Sequence, residues 1–240
     1  MLRIWTASAL LLISLYGNAQ KVIDVTAGGG IDVTDHNSTT AVMGQLYTGI
    51  KYVRVTAGTP FFKEEFMNAQ LTDDGGGQYK CHAVRINLLD NEVNFLGPDG
   101  KEMICSSPVR RIVLRDSTSD QKYYFVWGWE LNPTDKALEK VWLQVLVNDE
   151  VSLCRQIKKR IHETPSYGNA TAEQDIMSID AYYLHGKAGL VPVKSWQDLQ
   201  DQLADQKAAL TQYIHDHHLK GRSADDYTQL VTAYNAAKKS

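Results

Sequence analysis

The chain has 240 residues, of which 43% are hydrophobic and 22% charged, and its formal net charge is −3. That balance excludes an electrostatic footprint for nucleic acid or for an anionic membrane surface. The length is enough for one large domain, or one domain with a small appendage, holding a core of its own.

The N-terminus reads Met1-Leu2-Arg3 and continues as an apolar run over 4–16. Arg3 supplies a positive n-region, the run is the h-region, and Gly17-Asn18-Ala19 is a small-x-small cleavage site. This tripartite pattern is that of a secretory signal peptide over 1–19, cut between Ala19 and Gln20. The run is too short to span a bilayer comfortably, which takes about 20 residues. The residue directly after the cut is Gln20 and not a cysteine, and no later segment is apolar enough to cross a membrane. The expected product is a soluble protein of the periplasm or extracellular medium, with no integral membrane segment once the signal is removed.

After the cut, 21–25 is a short apolar alternation, and the Gly-rich and polar stretch 28–40 predicts a loop. Tyr52, Val53 and Val55 predict a strand that runs into a turn at 58–62, and Gly75-Gly76-Gly77 predicts another turn. From 79 to about 160 the pattern is consistently β. The segments 79–88 and 92–96 read as a hairpin around Asp90-Asn91, pairing Leu88 with Val93 and Ile86 with Phe95; 101–105 returns beside it. In that register Cys81 and Cys105 share the face opposite Ile86, about 9–10 Å apart across an intervening strand. A disulfide cannot reach that far. With three cysteines in all, a bridge from either of them to Cys154 stays open. The segments 109–115 and 123–129 alternate, a turn follows at 132–135, and 141–147 with 151–157 form a hairpin around 148–150. Short turns between sequential strands imply antiparallel pairing, because parallel pairs need long crossovers.

Beyond Pro165 the pattern changes. The segments 182–184 and 190–193 read as a last hairpin. Ser195 then caps a helix with Asp198 at its third position, and Trp196, Leu199, Leu203, Leu210, Tyr213 and Ile214 keep helical spacing. Gly221 interrupts it, Ser223 opens a second helix, and Tyr227, Leu230, Val231 and Tyr234 form its apolar stripe. The fold class is therefore α+β: an antiparallel β-meander, as a curved sheet or partial barrel, with a C-terminal two-helix tail. The expected division is a signal peptide over 1–19, a β domain over 20–194 and a helical hairpin over 195–240 packed on it.

Three blocks of this pattern carry a resemblance: 58–66 followed by 84–95, the hairpin over 145–153, and the tail from Tyr182 to Asn235. Together they resemble a family of uncharacterised exported bacterial proteins, over most of the mature chain. The resemblance implies the meander with its helical tail and a place in the bacterial envelope. It brings no activity, substrate or catalytic residue.

Two constellations are candidate sites. Tyr123, Phe125, Trp127 and Trp129 recur at a spacing of two, which places all four on one face of a strand. Flat aromatic faces stack on sugars, so the stripe is a candidate glycan platform. The competing reading, favoured because large exposed apolar patches are uncommon, is the core face beneath the helices. His215 and His218, three apart near the end of the first tail helix, are candidate ligands for zinc or copper. Histidine at a helix C-terminus also complements the dipole, which is the favoured reading. No catalytic or cofactor motif stands out: there is no nucleophile elbow, no phosphate loop, and the carboxylate pairs 64/65, 73/74 and 225/226 are sequence neighbours.

The expected function is that of a non-enzymatic interaction or structural module of the envelope, partnered by an envelope protein or a glycan and not by nucleic acid. The alternatives are a periplasmic carrier holding an apolar or glycan ligand between sheet and helices, and a hydrolase whose residues converge only in three dimensions.

Overall fold

A computed structural model describes residues 22–24, 44–47, 55–164 and 173–239. The signal segment, with Ala19 and Gln20, lies outside the described residues. The strands are β1 (Val22–Asp24), β2 (Gly44–Leu46), β3 (Val55–Ala57), β4 (Met67–Asp73), β5 (Gln78–Asn87), β6 (Glu92–Leu96), β7 (Glu102–Cys105), β8 (Val109–Arg115), β9 (Lys122–Trp127), β10 (Trp142–Val147), β11 (Ser152–Thr164), β12 (Glu173–Gly186) and β13 (Gly189–Val193). They form one sheet in the order β13-β12-β11-β10-β9-β8-β4-β5-β6-β7-β2, with β1 beside β5 and β3 beside β12. The pairs β1–β5 and β3–β12 are parallel. The other pairs are antiparallel, as short turns require of those that are consecutive in sequence.

From β4 to β13 the meander takes one non-sequential step. β8 pairs with β4 and not with β7, so two runs of sequential strands meet along the β4–β8 seam. β4 is not among the predicted strands, although Met67, Ala69 and Leu71 alternate and are buried. The sheet is strongly curved. In a flat sheet the β5–β6 turn would stand about 20 Å or more from β10, four or five strand spacings away. Instead the Trp142 backbone N–H donates to Asn91 Oδ1 of that turn at 3.2 Å. The roll wraps one core around Leu71, Val84, Ile86, Ile112, Leu114, Phe125 and Trp142.

Two local features correct the predicted hairpin. Ile86 pairs with Val93 and Val84 with Phe95, a shift of two residues. The turn is longer because Asn87 Oδ1 accepts from the N–H groups of Leu89 and Asp90, at 3.1 Å each, and Asn91 takes a left-handed φ of 59°. A shift of two preserves the faces. Cys81, however, lies on the core face with Ile86 and not opposite it. Met67 pairs with Val84 but Ala69 with Cys81, so β5 carries one extra residue, and this bulge reverses its alternation. No disulfide joins Cys81, Cys105 and Cys154.

The tail consists of α1 (Trp196–Gln202), α2 (Lys207–Asp216) and α3 (Ala224–Lys239), so the first predicted helix is broken in two. A 3₁₀ turn at Ala204–Gln206 separates α1 from α2. It keeps Leu203 and Leu210 both buried and lets Asp205 accept from the Tyr234 hydroxyl at 3.0 Å. Ser195 Oγ accepts from Asp198 N–H as predicted, while Asp198 Oδ2 accepts from Lys194 N–H, one residue before the cap. The helices bury Leu199, Leu203, Leu210, Leu230 and Val231 against Leu153, Leu184 and Val193 of the sheet. On the other face of the same strands a third cluster, Leu143, Cys154, Tyr183 and Leu190, is covered by Leu138 of the 3₁₀ segment Lys136–Lys140.

Candidate functional site

The aromatic stripe divides. Phe125 is buried, and Phe62 packs edge-on against both Tyr123 and Phe125 at 5.0 Å between ring centroids. Trp127 packs edge-on against Trp142, its cross-strand partner, at 4.9 Å. These three residues belong to the core that the sheet wraps, not to a surface beneath the helices. Trp129 departs from the predicted strand face because β9 ends at Trp127 and Gly128–Leu131 forms a 3₁₀ turn. A Cβ on Gly128 would stand 1.7 Å from the carbonyl oxygen of Leu138, so only glycine permits this approach of the two segments. The turn leaves Trp129 48% exposed, with the Arg110 guanidinium 4.7 Å from its ring centroid.

Trp127, Trp129 and Trp142 line a cleft of about 280 Å³ at one end of the rolled sheet. Asn91 of the β5–β6 turn with Glu92 and Val93 of β6 form one wall; Cys105 of β7, Ser107 and Pro108 of the connection, and Val109 and Arg110 of β8 form another, and Asp74 comes from the β4–β5 turn. The curvature that joins Asn91 to Trp142 is what brings these walls together. Asp73 serves the fold: its carboxylate accepts from Gly77 N–H at 2.7 Å and from the Tyr79 hydroxyl at 2.8 Å. Asp74, the next residue, lines the cleft, and its N–H donates to Pro108 O at 3.2 Å.

Arg110 is held by Glu130, whose carboxylate also takes Arg111 at 2.8 Å. Glu130 is thus shared between two guanidinium groups, and the carboxylates of Asp74 and Glu92 belong to residues lining the same cleft. Two N–H donors on the lining, Arg110 Nε and Trp142 Nε1, are buried with no hydrogen-bond partner among the described residues. Trp142 is only 3% exposed. A buried donor without an acceptor costs about 1–3 kcal/mol. Cys105 is not equipped as a nucleophile. Burial pushes its thiol up, and the thiol donates to Ser107 O at 3.6 Å.

The histidines do not converge. α2 ends at Asp216, and His218 lies beyond it with φ 53°, so the helical face that would have joined His215 to His218 is lost. His215 Nδ1 meets Asp216 Oδ1 at 3.2 Å, and His217 stacks on Tyr213 at 4.0 Å. Among the described residues no three His, Cys, Asp or Glu side chains gather as a metal site would need, and no helix is long and apolar enough to cross a membrane.

Sequence reading identified Trp127 and Trp129 but not Trp142, Arg110, Asp74, Asn91 or Glu92. One signal was present: three of the five tryptophans fall at or just beyond the ends of two strands that pair, with Trp127 opposite Trp142. No protein-family model, no curated protein and no solved structure matches the chain.

Proposed function

We propose that this chain is an exported, non-enzymatic binding module of the bacterial envelope and that its ligand occupies the tryptophan cleft. The N-terminal n-region, h-region and cleavage triplet support export. The observation that carries the binding reading is the convergence of three tryptophans on one cleft, together with Arg110 and Trp142, whose Nε and Nε1 find no hydrogen-bond partner among the described residues. Ligand sites are concave, mostly apolar and set with a few convergent polar groups, and this one sits near the lower end of their usual ~300–1,000 Å³. The sheet–helix interface favours the expected carrier less, because the recess there, lined by Val151, Leu184, Leu203 and Tyr234, is smaller, about 180 Å³.

The test is a tryptophan-fluorescence titration of the mature chain against a panel of small neutral polyols, amines, carboxylates and aromatics. At least one class saturates the wild type, and Trp129→Ala, at a half-exposed position, removes that response without lowering the melting temperature. Absence of any saturable response, or one indifferent to Trp129→Ala, overturns the cleft as the site.

A further inference from the structure

We infer that the chain pairs with a second copy of itself along the outer edge of β11, antiparallel and with the two-fold axis at Ile161. β12 pairs with β11 as far as Thr164, whereas β10 pairs with it no further than Arg155. From Gln156 onward that second edge of β11 has no strand beside it among the described residues. β3 flanks β12 at Gln174 and Asp175, so the far end of the hairpin is a three-stranded arm. A narrow ribbon of this kind is marginal alone. It also carries four of the seven large hydrophobic side chains exposed among the described residues: Val55, Ile161, Met177 and Ile179.

An open edge is a template for pairing, and lysine is a common guard against it. Here Lys158, Lys159 and Arg160 stand in a row. They do not forbid self-pairing; they select its register. A two-fold axis normal to the sheet keeps each face on its own side, so it passes through one residue, and residues equally far from it face one another. An axis at Lys159 or Arg160 sets that cation against its own copy, which is destabilising. An axis at His162 sets Ile161 against Glu163. An axis at Ile161 sets the two isoleucines together and sets Lys159 against Glu163 of the second copy, once on each side. Lys159, Ile161 and Glu163 share one strand face, so these contacts form together. Glu163 is exposed, and its carboxylate accepts from the neutral amide of Gln174 at 2.9 Å. Lys159 is half-buried, and burial pushes its ammonium below the ordinary value although Asp180 and Glu64 oppose this. A further carboxylate therefore favours its charged form. On the other face Arg160 stands against His162, a weaker conflict than two fixed cations.

The experiment is sedimentation of the mature chain over a range of concentrations, combined with cysteine cross-linking. The wild type forms a reversible dimer of the weak class that a small interface gives. Ile161→Asp, at an exposed position, sets two carboxylates together and weakens the dimer about tenfold or more without lowering the melting temperature. Glu163→Lys weakens it as well, and adding Lys159→Glu to that variant restores it. Ile161→Cys forms an intermolecular disulfide, because facing Cα atoms of an antiparallel pair lie about 4.5–5.5 Å apart. Glu163→Cys does not, since its two copies stand about 14 Å apart along the strand. A chain monomeric at every concentration overturns the proposal, as does a dimer indifferent to Ile161→Asp. Cross-linking through Glu163→Cys and not through Ile161→Cys overturns the register.

Discussion

The side-chain amide of Asn235, a residue 2% exposed in the C-terminal half of α3, closes the backbone of the β10–β11 turn. Its Oδ1 accepts from Val151 N–H at 3.0 Å, and its Nδ2 donates to Val151 O at 2.8 Å and to Val231 O at 3.0 Å. One helix residue thus pairs a turn as a neighbouring strand would, and Lys238 and Lys239 add exposed ion pairs to Glu150 and Asp149. Exposed pairs of this kind contribute little, and the buried amide carries the contact. Asn235→Ala leaves the Val151 groups without a partner and should lower stability by about 2–3 kcal/mol, read from the urea midpoint. A shift no larger than that of an exposed alanine substitution would show that the turn is held elsewhere. In the sequence, Asn235 is one polar residue beside an apolar stripe, and nothing marks it as a clamp. The same holds for Arg110 and Trp142, whose significance depends on which atoms find no partner.

Among the elements, the 3₁₀ turn Gly128–Leu131 has the most consequence for the site, because it takes Trp129 off the strand face and sets it over Arg110. Gly128 N–H donates to Val141 O at 2.9 Å, tying the turn to the start of β10. Gly128→Ala inserts a methyl group where the Leu138 carbonyl stands. The expected outcome is a loss of about 1–3 kcal/mol, typical of overpacking, together with a shift in tryptophan emission as Trp129 moves. An unchanged melt and spectrum would mean that the turn has room to spare. The bulge in β5 is a second case, since one extra residue moves Cys81 from the expected outer face to the core. Alternation was legible; the residue at which it reverses was not, because a bulge is decided by the partner strand β4.

For the whole molecule, the helical tail and the sheet share one buried cluster in which Leu153, Leu184 and Val193 meet Leu199, Leu203, Leu210, Leu230 and Val231. Tyr182 of β12 stacks on Tyr227 of α3 at 4.1 Å, and Trp196 meets the same ring edge-on. Neither part can separate without exposing that surface. Unfolding should therefore be a single transition, with far-ultraviolet circular dichroism and tryptophan fluorescence coincident in urea. Two resolved steps, helix signal first, would show that the tail is an independent unit.

What the amino-acid order determined by itself is local: alternation marks most of the strands, short turns make them antiparallel, Ser195 with Asp198 caps α1, and the stripe Tyr227, Leu230, Val231 and Tyr234 gives α3 its buried face. These follow from periods of 2 and 3.6 residues, which are properties of neighbours in the chain. The tertiary structure alone decided the β8–β4 pairing, the roll that carries Asn91 to Trp142, and with it the tryptophan cleft. Each joins residues far apart in sequence, and such contacts are selected by how the whole sheet closes over its core, a quantity no short window contains.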